Sequence, residues 1–275
     1  MKSKNAAGKT MLILAMCLIT TGIFAQNDKN TGYVPHVGQA GKDVIWVPTP
    51  DALVAKMLEI AKVTPNDYLI DLGSGDGRTV IAAAKLKARA TGVEYNPDMV
   101  ELSKRRAAEA GVSDRVNFVK ADLFEYDFSD ATVITMFLLP EINLRLRPKL
   151  LELKPGTRIV TNTFTMGEWK PDLEVTIDES SSWNTALLWI VPAKVEGTWK
   201  MGQGELTINQ EFQKFYGTLK QDGKNSPVSE GNIKGNTITF KVGGSLYTGE
   251  VNNNSILGTY TGSNSKADWA ATKIR

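Results

Sequence analysis

Short apolar segments alternate with amphipathic segments between residues 46 and 193. The apolar segments have the length of buried strands, and the segments between them have the period of helices. This order predicts an α/β unit, in which helices cover both faces of a parallel sheet. The predicted strands are 68–72, 90–95, 115–120, 132–137 and 157–164, with helices near 77–87, 97–110 and 141–153 and two further strands at 173–177 and 185–191 that complete the sheet.

The stretch "WVPTPDALVAKMLEIAKV" predicts a helix before the first strand. Thr49 can cap its start, and Pro50 suits the first turn because its missing N–H has no partner there. Leu53, Met57 and Leu58 recur on one face, which we expect to pack on the sheet.

The composition changes at Gly197, after which helix signals are scarce. Short alternating segments separated by Gly, Asn and Ser predict a small antiparallel barrel or sandwich over residues 197–275. Gly217, Gly249 and Gly258 fall inside these segments, which is typical of bulges or bends in a curved sheet. No charged cluster accompanies them, so we expect a structural or binding module.

The first 25 residues have the composition of a secretory signal peptide. Lysines at 2, 4 and 9 precede an apolar run from Met11 to about Ile19, and small residues precede Gln26. We expect cleavage after Ala25, an extended arm over residues 26–45, and a periplasmic or cell-envelope location. A tethering helix is the alternative. The expected mature chain has no cysteine, and His36 is the only histidine of the sequence, so no disulfide or metal site is predicted.

The charge balance argues against a nucleic-acid partner. The chain has 32 basic residues, three of them in the first 25, so 29 remain beside 30 acidic residues. Such a balanced chain has no strong field for nucleic acid or anionic lipid. We expect no nucleic-acid partner and no membrane span in the mature chain.

A glycine-rich loop follows the first predicted strand in "DLGSGDGR". A dinucleotide-binding loop would place its third glycine at position 78, but this position is Arg78 and the third glycine is Gly77. The loop can still approach a ligand closely, because Gly73, Gly75 and Gly77 have no side chains. The following helix presents unpaired N–H groups, which suit an anionic group such as a carboxylate.

Acidic residues lie at the carboxyl ends of three successive predicted strands. Asp71 lies in the first, Glu94 ends the second, and Asp122 follows the third, beside Leu123. Carboxylates in these positions suit a ribose diol and an adenine amino group. Ordinary polar strand ends are the alternative. Adenosine without a pyrophosphate is implied, and S-adenosylmethionine, with its amino-acid tail, fits.

"DLGSGDGR", "GVEYNPDMV" and "KADLF" resemble class I S-adenosylmethionine-dependent methyltransferases. "WVPTPDALVAKML", "TMFLLPEINLRLRPKLLELKPGTRIV" and "FTMGEW" resemble the branch that contains the lysine methyltransferases of the ATP synthase c subunit and the adenine nucleotide carrier. This likeness extends from about Trp46 to Trp169 and implies a Rossmann-like seven-stranded sheet. With the signal sequence, it implies an exported bacterial member of the branch.

The resemblance assigns the cofactor site residue by residue. It places the glycine loop at the methionine end, Glu94 at the ribose, Asp122 at the adenine, and Thr49 in a flap over the methionine end. It names no catalytic residue, because methyl transfer needs no obligatory acid–base pair. The predicted cofactor-binding residues are Thr49, Asp71, Gly73, Ser74, Gly75, Gly77, Glu94, Tyr95, Asn96, Asp122 and Leu123.

The segment after the fourth strand bears on the methyl acceptor. Methyltransferases of amides and exocyclic amines have Asn or Asp before Pro-Pro-aromatic here, whereas this chain has "FLLP" at 137–140. The absence of a side-chain carbonyl disfavours glutamine, adenine and cytosine and favours an amine such as a protein lysine. Leu138 and Leu139 are equally expected as plain core residues. Glu141 and Glu168 could orient an amine, although a solvated surface role suits both.

Two alternatives to a protein methyltransferase follow from the same sequence. The fold could serve as a non-catalytic envelope binding protein, in which the β module carries the interaction. A small-molecule methyltransferase shares the chemistry and differs in its acceptor. Transfer of a methyl group to an envelope fraction, or to a free amine alone, distinguishes the three hypotheses.

Overall fold

The computed structural model describes residues 32–178, 182–263 and 265–274. The predicted signal peptide and the first residues of the predicted arm lie outside these ranges. Seven strands form one sheet: β1 (Tyr68–Leu72), β2 (Arg89–Glu94), β3 (Val116–Lys120), β4 (Val133–Met136), β5 (Arg158–Asn162), β6 (Leu173–Thr176) and β7 (Thr185–Ile190).

The sheet has the strand order β3-β2-β1-β4-β5-β7-β6. The first five strands are parallel, and β7 runs antiparallel to both β5 and β6. The order reverses direction between β1 and β4, where open α/β sheets form a crevice at the carboxyl ends of their strands. The Rossmann-like sheet expected from the sequence is confirmed.

Four helices of the described residues cover the two faces of this sheet. The helices α1 (Asp51–Ile60), α2 (Arg78–Lys85) and α3 (Pro97–Glu109) share a core with one face, and α4 (Pro140–Leu150) with the other. Successive strand residues point to opposite faces. Leu69 therefore joins the first core while the next residue, Ile70, joins the second.

Thr49 does not cap helix α1, and that prediction is wrong. The N-cap is Pro50, and no side chain caps this helix. The Thr49 side chain is buried against the sheet, where its hydroxyl accepts a hydrogen bond of 3.4 Å from the Asn162 amide at the end of β5. Tertiary packing has therefore displaced the local cap.

The remaining strands close into an eight-stranded antiparallel barrel. Its interior is filled by aromatic and aliphatic side chains, with Trp199, Phe240 and Trp269 among them. A closed barrel leaves no strand edge unpaired. The strands are β8 (Gly197–Met201), β9 (Gly204–Glu211), β10 (Lys214–Gln221), β11 (Lys224–Lys234), β12 (Thr237–Val242), β13 (Ser245–Asn252), β14 (Ser255–Thr261) and β15 (Lys266–Lys273).

The predicted strand glycines have two different roles. Gly217 lies at a register shift between β10 and β11, as a bulge requires. Gly249 and Gly258 instead face each other in continuous register between β13 and β14. A Cβ on Gly249 would lie 2.8 Å from the Trp269 indole, so the absence of a side chain there makes room for a core tryptophan.

Direct contacts join the barrel to the sheet unit. The Ala193 amide donates to the Gly235 carbonyl at 2.8 Å, and the Gln213 side-chain amide donates to the Lys170 carbonyl at 2.6 Å. The Trp169 ring stacks on Phe212 with centroids 6.1 Å apart. Among the helices of the described residues, none has the length and apolar character needed to cross a membrane.

Candidate active site

The glycine loop connects β1 to α2 at the carboxyl edge of the sheet. Gly73, Gly75 and Gly77 all have positive φ angles, of 76°, 52° and 80°, which other residues adopt only with strain. The amides of Gly73 and Ser74 both donate to the Val93 carbonyl of β2, at 2.9 and 3.0 Å. The loop is therefore fixed to the neighbouring strand.

Gly77 supports the start of α2, where a side chain would not fit. An added Cβ would lie 2.8 Å from the Ser103 side chain and 2.9 Å from the Phe118 ring. Gly75 is packed similarly, and its Cβ would lie 2.7 Å from the Trp46 indole nitrogen. The loop thus approaches α3 and β3 on one side and the segment that contains Trp46 on the other.

Gly77→Ala is expected to lower the free energy of unfolding by about 2–4 kcal/mol, because strain at positive φ adds to this overlap. Gly111→Ala is the matched control, since Gly111 has a φ of 68° and open space where the Cβ would be. It should cost only about 1 kcal/mol. Urea unfolding measures both, and equal losses would contradict the packing role.

Asp71 is a buried carboxyl group beneath the loop. It is 6% exposed and accepts a hydrogen bond of 2.6 Å from the Thr135 hydroxyl of β4. Burial raises its pKa to about 7, with additional repulsion from Glu94 and Asp76, against the opposing hydrogen bond from Thr135. A cationic group bound nearby would favour the ionised form.

Glu94 holds the loop and the start of α3 together. One carboxylate oxygen accepts from the Gly75 amide and the other from the Asn96 amide, both at 2.9 Å. The Asn96 side chain then caps α3 by accepting from the Asp98 amide at 2.9 Å. Tyr95, between them, is half-exposed at 49% and lines the adjacent cavity.

Asp122 lies just after β3 and forms an ion pair with Lys42. Its other oxygen accepts from the Phe124 amide at 2.9 Å. The Lys42 hydrogen bond, followed by the Phe124 bond, holds the pKa of Asp122 below its usual value. Lys42 also lies 4.8 Å from the centre of the Tyr95 ring. No local pattern indicates this ion pair, because 80 residues separate its two members.

Arg78, the residue that breaks the dinucleotide pattern, connects the loop to the segment that precedes α1. Its guanidinium donates to the Thr49 carbonyl at 2.9 Å and pairs with the Asp76 carboxylate at 2.7 Å. Burial alone would raise the pKa of Asp76, but Arg78 and Arg106 outweigh it, so that the pKa is lowered. The carboxylate is thereby held ionised and available to both arginines.

Three aromatic side chains line the same cavity on the side of β4 and β5. Phe137 follows β4, Phe164 follows β5, and Trp183 precedes β7, whose start lies at this edge because β7 is antiparallel. The ring centroids lie 5.2–5.9 Å apart. Of these three residues the sequence indicated only Phe137 as part of the site, because no local pattern brings Phe164 and Trp183 to the same edge of the sheet.

These side chains surround one cavity of about 220 Å³, far above the roughly 10–15 Å³ that a single water needs. Gly77 is the one predicted cofactor-binding residue absent from its wall, because it packs against Ser103 of α3 and Phe118 of β3. The buried Ser74 hydroxyl has no hydrogen-bond partner among the described residues. An open polar loop beside apolar walls suits adenosine with an amino-acid tail.

The strand order, the glycine loop and the crevice together define the fold class of S-adenosylmethionine-dependent methyltransferases. Residues 71–173 match the family model described as the ANTKMT methyltransferase domain. The chain is 43% identical over 162 residues to a protein-lysine N-methyltransferase of Saccharolobus islandicus (strain REY15A), and the match covers 58% of this chain and 96% of that protein. The chain belongs to this methyltransferase family.

Two further proteins resemble the chain. An adenine nucleotide translocase lysine N-methyltransferase of Mus musculus is 34% identical over 140 residues, and the match covers 50% of this chain and 56% of that protein. A crystal structure described as an RNA methyltransferase of Salinibacter ruber, in complex with S-adenosyl-L-homocysteine, is 48% identical with a TM-score of 0.52. It covers 54% of this chain and 96% of that chain.

The protein is therefore an S-adenosylmethionine-dependent methyltransferase, and S-adenosylmethionine is its cofactor. The enzyme class and cofactor expected from the sequence are confirmed. The comparisons do not favour the non-catalytic hypothesis.

Proposed function

We propose that the protein transfers a methyl group from S-adenosylmethionine to the side-chain amine of a protein lysine. The observation that carries this proposal is the 43% identity to a protein-lysine N-methyltransferase, in a match that covers 96% of that protein. The cavity supports it, because its acceptor side has Phe137, Leu138 and Leu139 where amide-methylating sites place Asn or Asp. The cofactor supplies an electrophilic methyl group on a sulfonium.

The residues on the β1–β3 side of the cavity would hold the cofactor. Asp71 and the loop 73–75 suit the methionine end, because they offer a buried carboxyl group and a glycine backbone that a ligand can approach closely. Glu94 would bind the ribose, with Tyr95 and Asn96 beside it, and Asp122 and Leu123 would bind the adenine. Thr49 would lie in the covering segment, and Gly77 would position the start of α2.

The rest of the chain's contribution is positioning and the exclusion of water. The segment of residues 39–49 lines the cavity, and the Trp46 indole packs on Gly75. Backbone hydrogen bonds of 2.9 Å from Gly38 to Trp46 and from Trp46 to Gln39 hold this segment in shape. A lysine acceptor must be neutral to react, and an apolar site favours the neutral amine by disfavouring the charged form.

The proposal is tested by methyl transfer from labelled S-adenosylmethionine to a mixed protein fraction, to free amines and to RNA. Label on lysine after complete hydrolysis of the protein fraction is the expected result. Label confined to free amines would identify a small-molecule methyltransferase. Label confined to RNA would replace the proposal with the activity named for the Salinibacter ruber protein.

Lys42→Met is expected to strengthen cofactor binding about three- to tenfold at low salt, because the Lys42 ion pair occupies the carboxylate proposed to bind adenine. Added salt should reduce the difference in affinity between the variant and the wild type, because it screens the exposed ion pair of the wild type. Calorimetric titration at two salt concentrations measures this. Lys56→Met, which removes an ion pair within α1, is the control. Weaker binding by Lys42→Met would show that Lys42 assists the cofactor instead.

We propose further that the protein is exported to the periplasm or cell envelope. The lysines and the apolar run of the first 25 residues support this proposal. Cell fractionation after expression, with mass spectrometry of the amino terminus, tests it. A mature protein that begins at Gln26 in the envelope fraction is expected, and a full-length chain confined to the cytoplasm would contradict export.

A further inference from the structure

The cavity has two chemically different halves, divided where the strand order reverses. Its buried or paired carboxyl groups come from the β1, β2 and β3 side as Asp71, Glu94 and Asp122. The rings of Phe137, Phe164 and Trp183 come from the β4, β5 and β7 side. All three rings are only partly buried, although large aromatic side chains gain much by full burial.

The backbone around Phe164 is fixed by an unusual local structure. Thr163 has a φ of 60°, which is rare for a β-branched residue and is a form of strain that clusters at functional sites. The Thr161 hydroxyl donates to the Phe164 carbonyl at 2.6 Å. The fully buried Asn143 side chain donates to the carbonyls of Phe164 and Thr165 at 3.3 and 3.2 Å. The backbone that carries the Phe164 ring is therefore fixed at the cavity wall.

Three aromatic rings in mutual contact, with no carboxylate between them among the described residues of the cavity wall, suit an amine that is neutral when it reacts and becomes positively charged as it is methylated. Ring faces carry negative potential and attract ammonium groups within about 6 Å of their centres. A carboxylate in the same place would hold an amine in its protonated, unreactive form. The rings give electrostatic attraction without offering a proton acceptor.

We propose that Phe137, Phe164 and Trp183 form an aromatic box that receives the amine head of the acceptor side chain. This inference rests on the proposed lysine methyltransferase function and assigns the residues that recognise its acceptor. The lysine first loses a proton to water, and its lone pair then forms the N–C bond while the C–S bond breaks and leaves its electron pair on sulfur. Positive charge thus passes to nitrogen, where the ring faces stabilise it.

The box should bind more tightly as the amine carries more methyl groups. Each added methyl group enlarges the cation and weakens its hydration, so less water must be removed before it contacts the rings. A neutral molecule of the same shape would gain only the apolar contact. A difference in affinity between a quaternary ammonium and its carbon analogue therefore measures the contribution of the charge.

The test is a titration of the protein saturated with S-adenosylhomocysteine, followed by calorimetry and tryptophan fluorescence. The probes are Nα-acetyl-lysine amide with zero to three ε-methyl groups, and the analogue in which the quaternary nitrogen is replaced by carbon. We expect the trimethylated probe to bind about 5- to 20-fold more tightly than the carbon analogue. Equal binding of the two, or displacement of the probe by adenosine or cytidine monophosphate, would overturn the box.

Matched variants separate aromatic character from bulk. Trp183→Phe should retain most of the preference for the cation, whereas Trp183→Leu, which is apolar without a ring face, should lose it. Unchanged affinity for S-adenosylhomocysteine shows that each variant is folded, and Tyr216→Leu on the exposed barrel surface is the control. A preference that survives in Trp183→Leu would also overturn the proposal.

The box and the proposed function fail in different ways. Lysine methylation with no preference for the cation in the binding assay would remove the box and leave the function. A clear preference for the cation without label on any protein lysine would remove the lysine function and leave a box for small amines.

Discussion

Asp71→Asn is expected to stabilise the cofactor-free protein increasingly as the pH rises from 5 to 8. In the wild type the pKa of Asp71 is raised from 3.8 to about 7 by burial. Because the carboxyl pKa is higher in the folded protein than in the unfolded chain, protonation stabilises the folded state. This stabilisation is complete below the pKa of the unfolded chain and is lost as the pH rises towards the pKa of the folded protein. Asparagine keeps an oxygen for the Thr135 hydroxyl and has no charge to bury.

The difference in unfolding free energy between variant and wild type should grow by roughly 2–3 kcal/mol between pH 5 and pH 8. For a chain of this size that is a relative gain of about 5–10 °C in melting temperature. Calorimetric melting at several pH values measures it. A difference that is constant with pH would show that Asp71 is ionised without cost in the folded state.

The same variant should bind the cofactor more weakly, because the proposed partner of the Asp71 carboxylate is the cationic methionine end. Wild-type affinity should rise about tenfold from pH 6 to pH 8 as the carboxyl group ionises, and Asp71→Asn should remove this dependence. Thr135→Val removes the hydrogen bond that opposes the raised pKa and should move the midpoint to higher pH. Identical pH profiles for all three proteins would contradict the assignment.

Glu94→Ala is expected to weaken S-adenosylmethionine binding about 100-fold. The change would remove the two charge-assisted hydrogen bonds that we propose to the ribose, each worth about 1.5 kcal/mol. It would also release the Gly75 and Asn96 amides, which the two carboxylate oxygens now hold at 2.9 Å. Isothermal titration calorimetry gives the affinity directly.

Two companion variants make this result interpretable. Glu94→Gln keeps one acceptor oxygen and should lose about tenfold in affinity, roughly one of the two bonds. Glu101→Ala removes an exposed carboxylate on α3 that pairs with Lys104, and should leave the affinity unchanged. If Glu94→Ala binds as well as Glu101→Ala, the ribose is held elsewhere.

The sheet could be predicted closely because its information is local. The first predicted strand, 68–72, matches β1, and the others lie within two residues of the observed limits, since apolar segments bounded by polar turns mark buried parallel strands. In the barrel, β11 (Lys224–Lys234) is not recognisable as a strand from the sequence. It contains Pro227 and a register irregularity near Glu230, whose φ is 54°, so its sequence lacks the alternation of a regular strand.

The cavity was predictable on one side and not on the other. The acids and glycines of the β1–β3 side follow directly after strands, so the sheet geometry alone brings them to one edge. Phe164 and Trp183 reach that edge through a strained residue and an antiparallel strand, and Lys42 reaches Asp122 from far along the chain. Such contacts depend on tertiary packing, which no local pattern encodes.

The closure of the barrel also has a consequence for how the chain is made. Its last strand, β15, pairs with its first, β8, through Ala271 opposite Met201. The ring therefore cannot close on the ribosome until residues near 273 have been synthesised, whereas the sheet and the cavity are complete once β7 ends at Ile190. The catalytic half can assemble during translation, while the barrel remains an open ribbon until β15 has been synthesised.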